Sequence, residues 1–108
     1  MNVYRGRINE VPLFNGERCE VTINGEPLPL CLEIYNHSPT GFEWGYLGSG
    51  PAQLALAIMV AEYGRDLSKH PIYYQFFKSL VIAALPMDQG WELTSDVINA
   101  AINQQRQN

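Results

Sequence analysis

Cysteine and charge are both scarce in this chain. Only Cys19 and Cys31 carry thiols, and 17% of the 108 residues are charged. Two cysteines in a chain with this much apolar material do not make the dense network of bridges that staples small secreted folds. They read as reduced side chains, which points to a cytoplasmic setting. Bases are the scarcer sign of charge: seven Lys and Arg stand against eleven Asp and Glu, for a net charge of −4. No three bases cluster, so a sequence-independent grip on a phosphate backbone is disfavoured and nucleic acid is not an expected partner. The acidic excess is also too mild for the dense acidic rows of a DNA mimic. Long apolar runs are missing as well. The longest, Leu54 to Ala61, has eight residues, against about 20 for a membrane-crossing helix. The opening MNVYRGRINE lacks the apolar stretch of a secretory signal.

Chemical signatures are equally thin. Neither G-x-x-x-x-G-K-[ST] nor G-x-G-x-x-G occurs, so no cofactor is expected. Ser49, in L-G-S-G-P, departs from the G-x-S-x-G nucleophile elbow, and neither histidine has an evident acidic orienter. A zinc site from Cys19, Cys31, His37 and His70 would need four ligands without the usual paired spacing. No catalytic residue and no metal ligand is assigned.

What the sequence does contain is core. At 46% hydrophobic it supports one domain over 1–108, with residues 103–108 left as a frayed tail. Val3–Ile8 alternates as a short strand, and Arg18–Ile23 does so better, with Cys19, Val21 and Ile23 on one face. Asn24-Gly25 then closes a two-residue hairpin. The return strand starts near Glu26, at an edge because Pro27 and Pro29 cannot donate ladder bonds. Leu30, Leu32 and Ile34 alternate with Cys31, Glu33 and Tyr35 as a further strand. Phe42, Trp44 and Tyr46 share a face of another.

Gly48-Ser49-Gly50 interrupts that alternation, and Pro51 suits the first position of a helix running to Tyr63. Gly50 is its expected N-cap, with Gln53 reaching back to the cap amide. The helix is apolar nearly all round and therefore buried. A second helix spans Pro71 to Pro86. Its rows Ile72–Phe76–Leu80–Ala84 and Tyr73–Phe77–Val81–Leu85 are expected to face the core, leaving Gln75, Lys78, Ser79 and the Tyr74 ring outside. Trp91 and Leu93 fit a short inward-facing strand, and Thr94 or Ser95 caps a third helix with Asp96 in its first turn. The fold class is α+β: a small antiparallel sheet on a central buried helix, with two further helices.

Gly48-Ser49-Gly50-Pro51 is the sharpest candidate site. Backbone amides at a helix start, approachable because glycines flank them, can hold an anion. Ser49, Gln53, His37, Tyr46 and Trp44 complete the candidate ligand-binding set with Gly48 and Gly50. The plainer alternative is a strand-to-helix corner, with the aromatics as core.

The run HSPTGFEWGYLGSGPAQLALAI, residues 37–58, resembles a family of small uncharacterised proteins of bacteria, plasmids and phages. Its members share a W-G-Y-x-G-S-G-P-A-Q-L-A-L-A passage. LPMDQGWELTSDVI, residues 85–98, and VYRGRI near the start are similar to the same family. Leu47 departs from the glycine common in relatives. The resemblance implies a shared fold and a mobile-element setting, and no activity. The function expected is a non-enzymatic binding or regulatory module acting through a protein partner. The alternative is a small enzyme or sensor for a nucleotide-like anion at Gly48–Pro51.

Overall fold

A computed structural model describes residues 1–13 and 16–106. Four strands and three helices make an α+β fold. Strand β1 (Val3–Ile8) is central, flanked by β2 (Cys19–Ile23) and β4 (Trp91–Thr94), with β3 (Glu26–Pro27) outside β2. All three pairings are antiparallel. Tyr4 sits opposite both Ile23 and Leu93, so the alternation of all three strands turns the same face inward. Asn24-Gly25 closes the first hairpin with positive φ at both residues, 52° and 87°, as that turn requires. The outward face carries Arg5, Arg7, Glu20 and Glu92, joined as the ion pairs Arg5–Glu92 and Arg7–Glu20.

Helix α1 (Ser49–Tyr63) runs under the sheet, with every residue from Gly50 to Met59 buried. Its first intrahelical bond runs from Ala52 N–H to Gly48 C=O. Gly48, not Gly50, is therefore the N-cap, and Pro51 lies third in the helix. There its missing N–H is still one of the four that no helix satisfies internally.

Two expected strands do not form. At Leu30–Tyr35 the chain takes φ +60° at Cys31 and folds back, with the Ile34 and Tyr35 amides bonded to the Cys31 carbonyl. Phe42 and Trp44 alternate inward but Tyr46 is exposed, and no strand among the described residues pairs with this stretch. Gly45 fixes its course: φ is +85°, its N–H bonds Ile82 C=O, and an added Cβ would lie 2.5 Å from Met87 Cα. Any other residue there strains the backbone and displaces that of Met87.

The second helix is also shorter than its apolar rows suggest. Helix α2 (Tyr74–Phe77) opens at once into a π turn over Lys78–Ile82, with Ala83 N–H bonded to Lys78 C=O. The extra residue in that turn shifts the helical phase. Buried Phe77 is followed by buried Ile82, five residues on, and Tyr74 turns inward. Phe76, Leu80 and Ala84 are left at the surface. Helix α3 (Ser95–Arg106) is capped by Thr94, whose Oγ1 accepts from Val97 N–H, and it buries Ile98 and Ile102. Residues 103–106 continue the helix; the expected fraying of 107–108 lies outside the described residues.

Candidate functional site

The start of α1 is covered by the chain's own side chains. The loop before it carries Glu43 and Tyr46, whose hydroxyl donates to Glu43 Oε1 at 2.5 Å. A Cβ added at Gly48 would lie 2.4 Å from the Tyr46 ring, and one at Gly50 would lie 2.7 Å from Glu43 Cβ and 2.8 Å from its Oε1. Both glycines are thus places where another side chain lies on the backbone. The first turn of α1 holds no acidic residue of its own. Glu43 supplies negative charge there from outside the helix, where the dipole favours it. The bond to Glu43 pushes the Tyr46 phenol up to about 12. Tyr46 is 39% exposed, while Ser49 stands on the open side of this corner.

Trp44 belongs to the core. Its ring meets that of Trp91 edge-on at 5.5 Å, and its Nε1–H donates to Gln89 C=O. The Trp91 indole fills the space that a side chain on Gly6 would occupy, 2.3 Å from an added Cβ. Its own Nε1–H is buried without a hydrogen-bond partner among the described residues.

Gln53 does not reach back to the cap. It is fully buried and uses every hydrogen-bonding position of its carboxamide. Oε1 accepts from the amides of His37 (2.7 Å) and Ser38 (2.9 Å), and Nε2 donates to the carbonyls of Leu30 (2.6 Å) and Tyr35 (3.0 Å). An amide side chain has two donors and two acceptor lone pairs, so this one is saturated. A lone amide in an otherwise apolar helix was the available sequence signal. It marked a buried hub that replaces the strand ladder between 30 and 38.

His37 is held at this hub. Its ring stacks on Tyr35 at 4.3 Å, and its Nε2 shares a 2.6 Å hydrogen bond with the Tyr74 hydroxyl. Burial, with the Lys78 ammonium adding to it, holds its pKa below the usual histidine value. The ring bonds Tyr74 rather than Ser49, so the predicted set divides. Gly48, Ser49, Gly50 and Tyr46 gather at the corner, Gln53 and His37 at the hub, and Trp44 in the core.

Among the described residues, no three His, Cys, Asp or Glu side chains are grouped to hold a metal ion. Both cysteines are free thiols, with pKa values raised chiefly by burial. No helix among the described residues is long and apolar enough to cross a membrane.

The apolar row turned outward by the π turn is a feature the periodicity had assigned to the core. Phe76 is 65% and Tyr73 56% exposed, their rings edge-to-face at 6.0 Å. Next to them Leu80 borders a hollow of about 420 Å³ whose other walls are Ala101, Gln104 and Gln105 of α3. A second crevice, about 380 Å³, opens on the outer sheet face, where its two arginines are already paired with Glu20 and Glu92.

The fold defines a small α+β domain that buries one central helix under an antiparallel sheet. Residues 4–104 match a family model described as a family of unknown function (DUF6166), and the chain belongs to that family. No curated protein and no solved structure matches it.

Proposed function

We propose that the protein is a non-enzymatic binding module of a bacterium or its mobile elements, acting through a protein partner. The observation carrying this reading is the exposed Tyr73–Phe76–Leu80 face. Aromatic rings standing in water beside a groove are what protein interfaces enrich and what a free surface gains nothing from exposing. The Glu43 carboxylate on Gly50 lends support from the other side. A small anion arriving at the start of α1 would meet a like charge already fixed there. The two free thiols are consistent with a reducing, cytoplasmic compartment. The resemblance to a family of bacteria, plasmids and phages supports that setting, and a role as a regulator or counter-defence factor fits it.

The test is crosslinked recovery from a native host with wild type and Phe76→Ser side by side. A protein captured specifically by wild type and lost with the variant is the expected result. Recovery that ignores Phe76, or no specific recovery at all, refutes the reading.

A further inference from the structure

We propose that Asn24-Gly25 is a self-modification site. The folded turn and its clamp on β1 shelter it, and opening of the hairpin commits it to conversion into aspartyl and isoaspartyl forms.

The chemistry needs only the chain and water. The Gly25 backbone nitrogen attacks Asn24 Cγ, and the Cγ–Nδ2 bond breaks. Ammonia leaves, carrying the amide proton of Gly25, and a cyclic succinimide remains. Water then opens this ring at either carbonyl. One product is an aspartate, and the other carries the backbone through Cβ and Cγ. Glycine obstructs the attack least, because it has no side chain. At Gly25 no atom lies within 4 Å of where a Cβ would stand, and both residues are exposed. Water therefore has free access.

The folded turn withholds the nucleophile. Positive φ at both residues, 52° and 87°, makes a type I′ turn, whose first central residue has ψ of about +30°. That angle puts Gly25 N and Asn24 Cβ on opposite sides of the Cα–C bond, whereas the succinimide needs them on the same side. The residue is also clamped. Oδ1 accepts from Val3 N–H at 2.9 Å, Nδ2 donates to Asn2 Oδ1 at 3.0 Å, and Asn24 N–H bonds Val3 C=O at 2.8 Å. Turning Asn24 into the reactive geometry strains or breaks these bonds at the end of the β1–β2 ladder.

Conversion would not be silent. The aspartate loses the Nδ2 donor and sets a carboxylate against Asn2 Oδ1. Asn2 cannot turn its amide to supply a donor without withdrawing Nδ2 from Glu62, to which it donates at 2.8 Å. The isoaspartyl form lengthens a turn whose length fixes the register of β2 on β3.

The full chain is incubated in mildly alkaline buffer, with and without urea, and conversion is followed by mass spectrometry. A glutamate-specific protease isolates Val21–Glu26 from Asn15-Gly16, the chain's other such pair. Opening and reclosing outpace this slow chemistry, so the folded rate follows the open fraction. Asn24 is expected to convert at least about tenfold more slowly in the folded chain than in urea. Asn2→Ala removes the Nδ2 acceptor and should raise the folded rate roughly fivefold, the worth of one hydrogen bond, with the urea rate unchanged. Tyr4→Phe, which takes a donor from the same Glu62 but leaves the bonds of Asn24 intact, should not raise it. Chains converted in urea and refolded should separate into two forms, the isoaspartyl one melting lower. Equal rates with and without urea, no conversion in urea, or a folded rate indifferent to Asn2→Ala overturns the proposal.

Discussion

The two ends of helix α1 solve the problem of a buried polar group in opposite ways. Near its start, Gln53 is neutral, fully buried and bonded four times to backbone. Near its end, Glu62 is charged and half-buried, and its Oε2 accepts from Tyr4 hydroxyl (2.6 Å), Asn2 Nδ2 (2.8 Å) and Ser95 Oγ (2.9 Å). An amide gives and takes, so it can stand in for a missing strand and order an irregular segment. A carboxylate only takes, so it gathers side-chain donors from segments already ordered by their own backbone bonds, here Asn2 just before β1, Tyr4 in β1 and Ser95 at the start of α3. Backbone carbonyls and amides cannot be mutated away, whereas donor side chains can. The amide hub should therefore be the less forgiving.

Replacing Gln53 with Leu should break that comparison most sharply. It orphans two amides and two carbonyls, each costing about 1–3 kcal/mol when buried. Allowing for relaxation, a loss of about 4 kcal/mol is expected, or upwards of about 15 °C in melting temperature for a domain this size. A loss below about 1 kcal/mol in urea unfolding would show that residues 28–41 order themselves without the hub. Tyr4→Phe probes the other end. It removes one donor to a carboxylate, worth about 1.5–3 kcal/mol, while two donors remain. About 1.5 kcal/mol is expected, and a cost equal to that of Gln53→Leu would erase the distinction. Burial and the Glu62 carboxylate push the Tyr4 phenol far up, so this contribution should not vary across the neutral range.

The smallest effect concerns His37. Its folded pKa is lowered by burial and by Lys78, so below its ordinary value near 6.5 the unfolded chain binds the proton more readily than the folded one. Stability contributed by the neutral ring is complete above that value and drains as pH falls through the folded pKa. His37→Gln should flatten the acid side of the stability curve below about pH 6.5 without altering it on the alkaline side. An unchanged slope would mean that the Tyr74 bond accepts the charged ring at no cost.

The sheet was legible because its signals are local. Alternation in Val3–Ile8 and Cys19–Ile23, and the Asn24-Gly25 turn between ladders, specify pairing without reference to the rest of the chain. Alternation misled where burial had no ladder behind it. Leu30–Tyr35 and Phe42–Tyr46 look like strands, but their backbone partners are the Gln53 side chain and Ile82, both supplied by helical segments distant in sequence. The candidate corner at Gly48–Gly50 was visible as glycine. Tyr46 was already expected beside it; that Glu43 lies on it was not legible, since a glycine admits any neighbour. The π turn was invisible for a similar reason. One residue of helical phase depends on which of Val81 and Ile82 the core accepts, and the core took Ile82.

The placement of the two lysines has a practical corollary. Side-chain primary amines occur at Lys69 and Lys78 alone, so besides the amino terminus an amine-reactive crosslinker or fluorophore reports only from the stretch of chain around residues 69–78. A covalent adduct to a side-chain amine therefore maps its neighbour to within one tether length of Lys69 or Lys78, and the chain arrives labelled for its own footprinting.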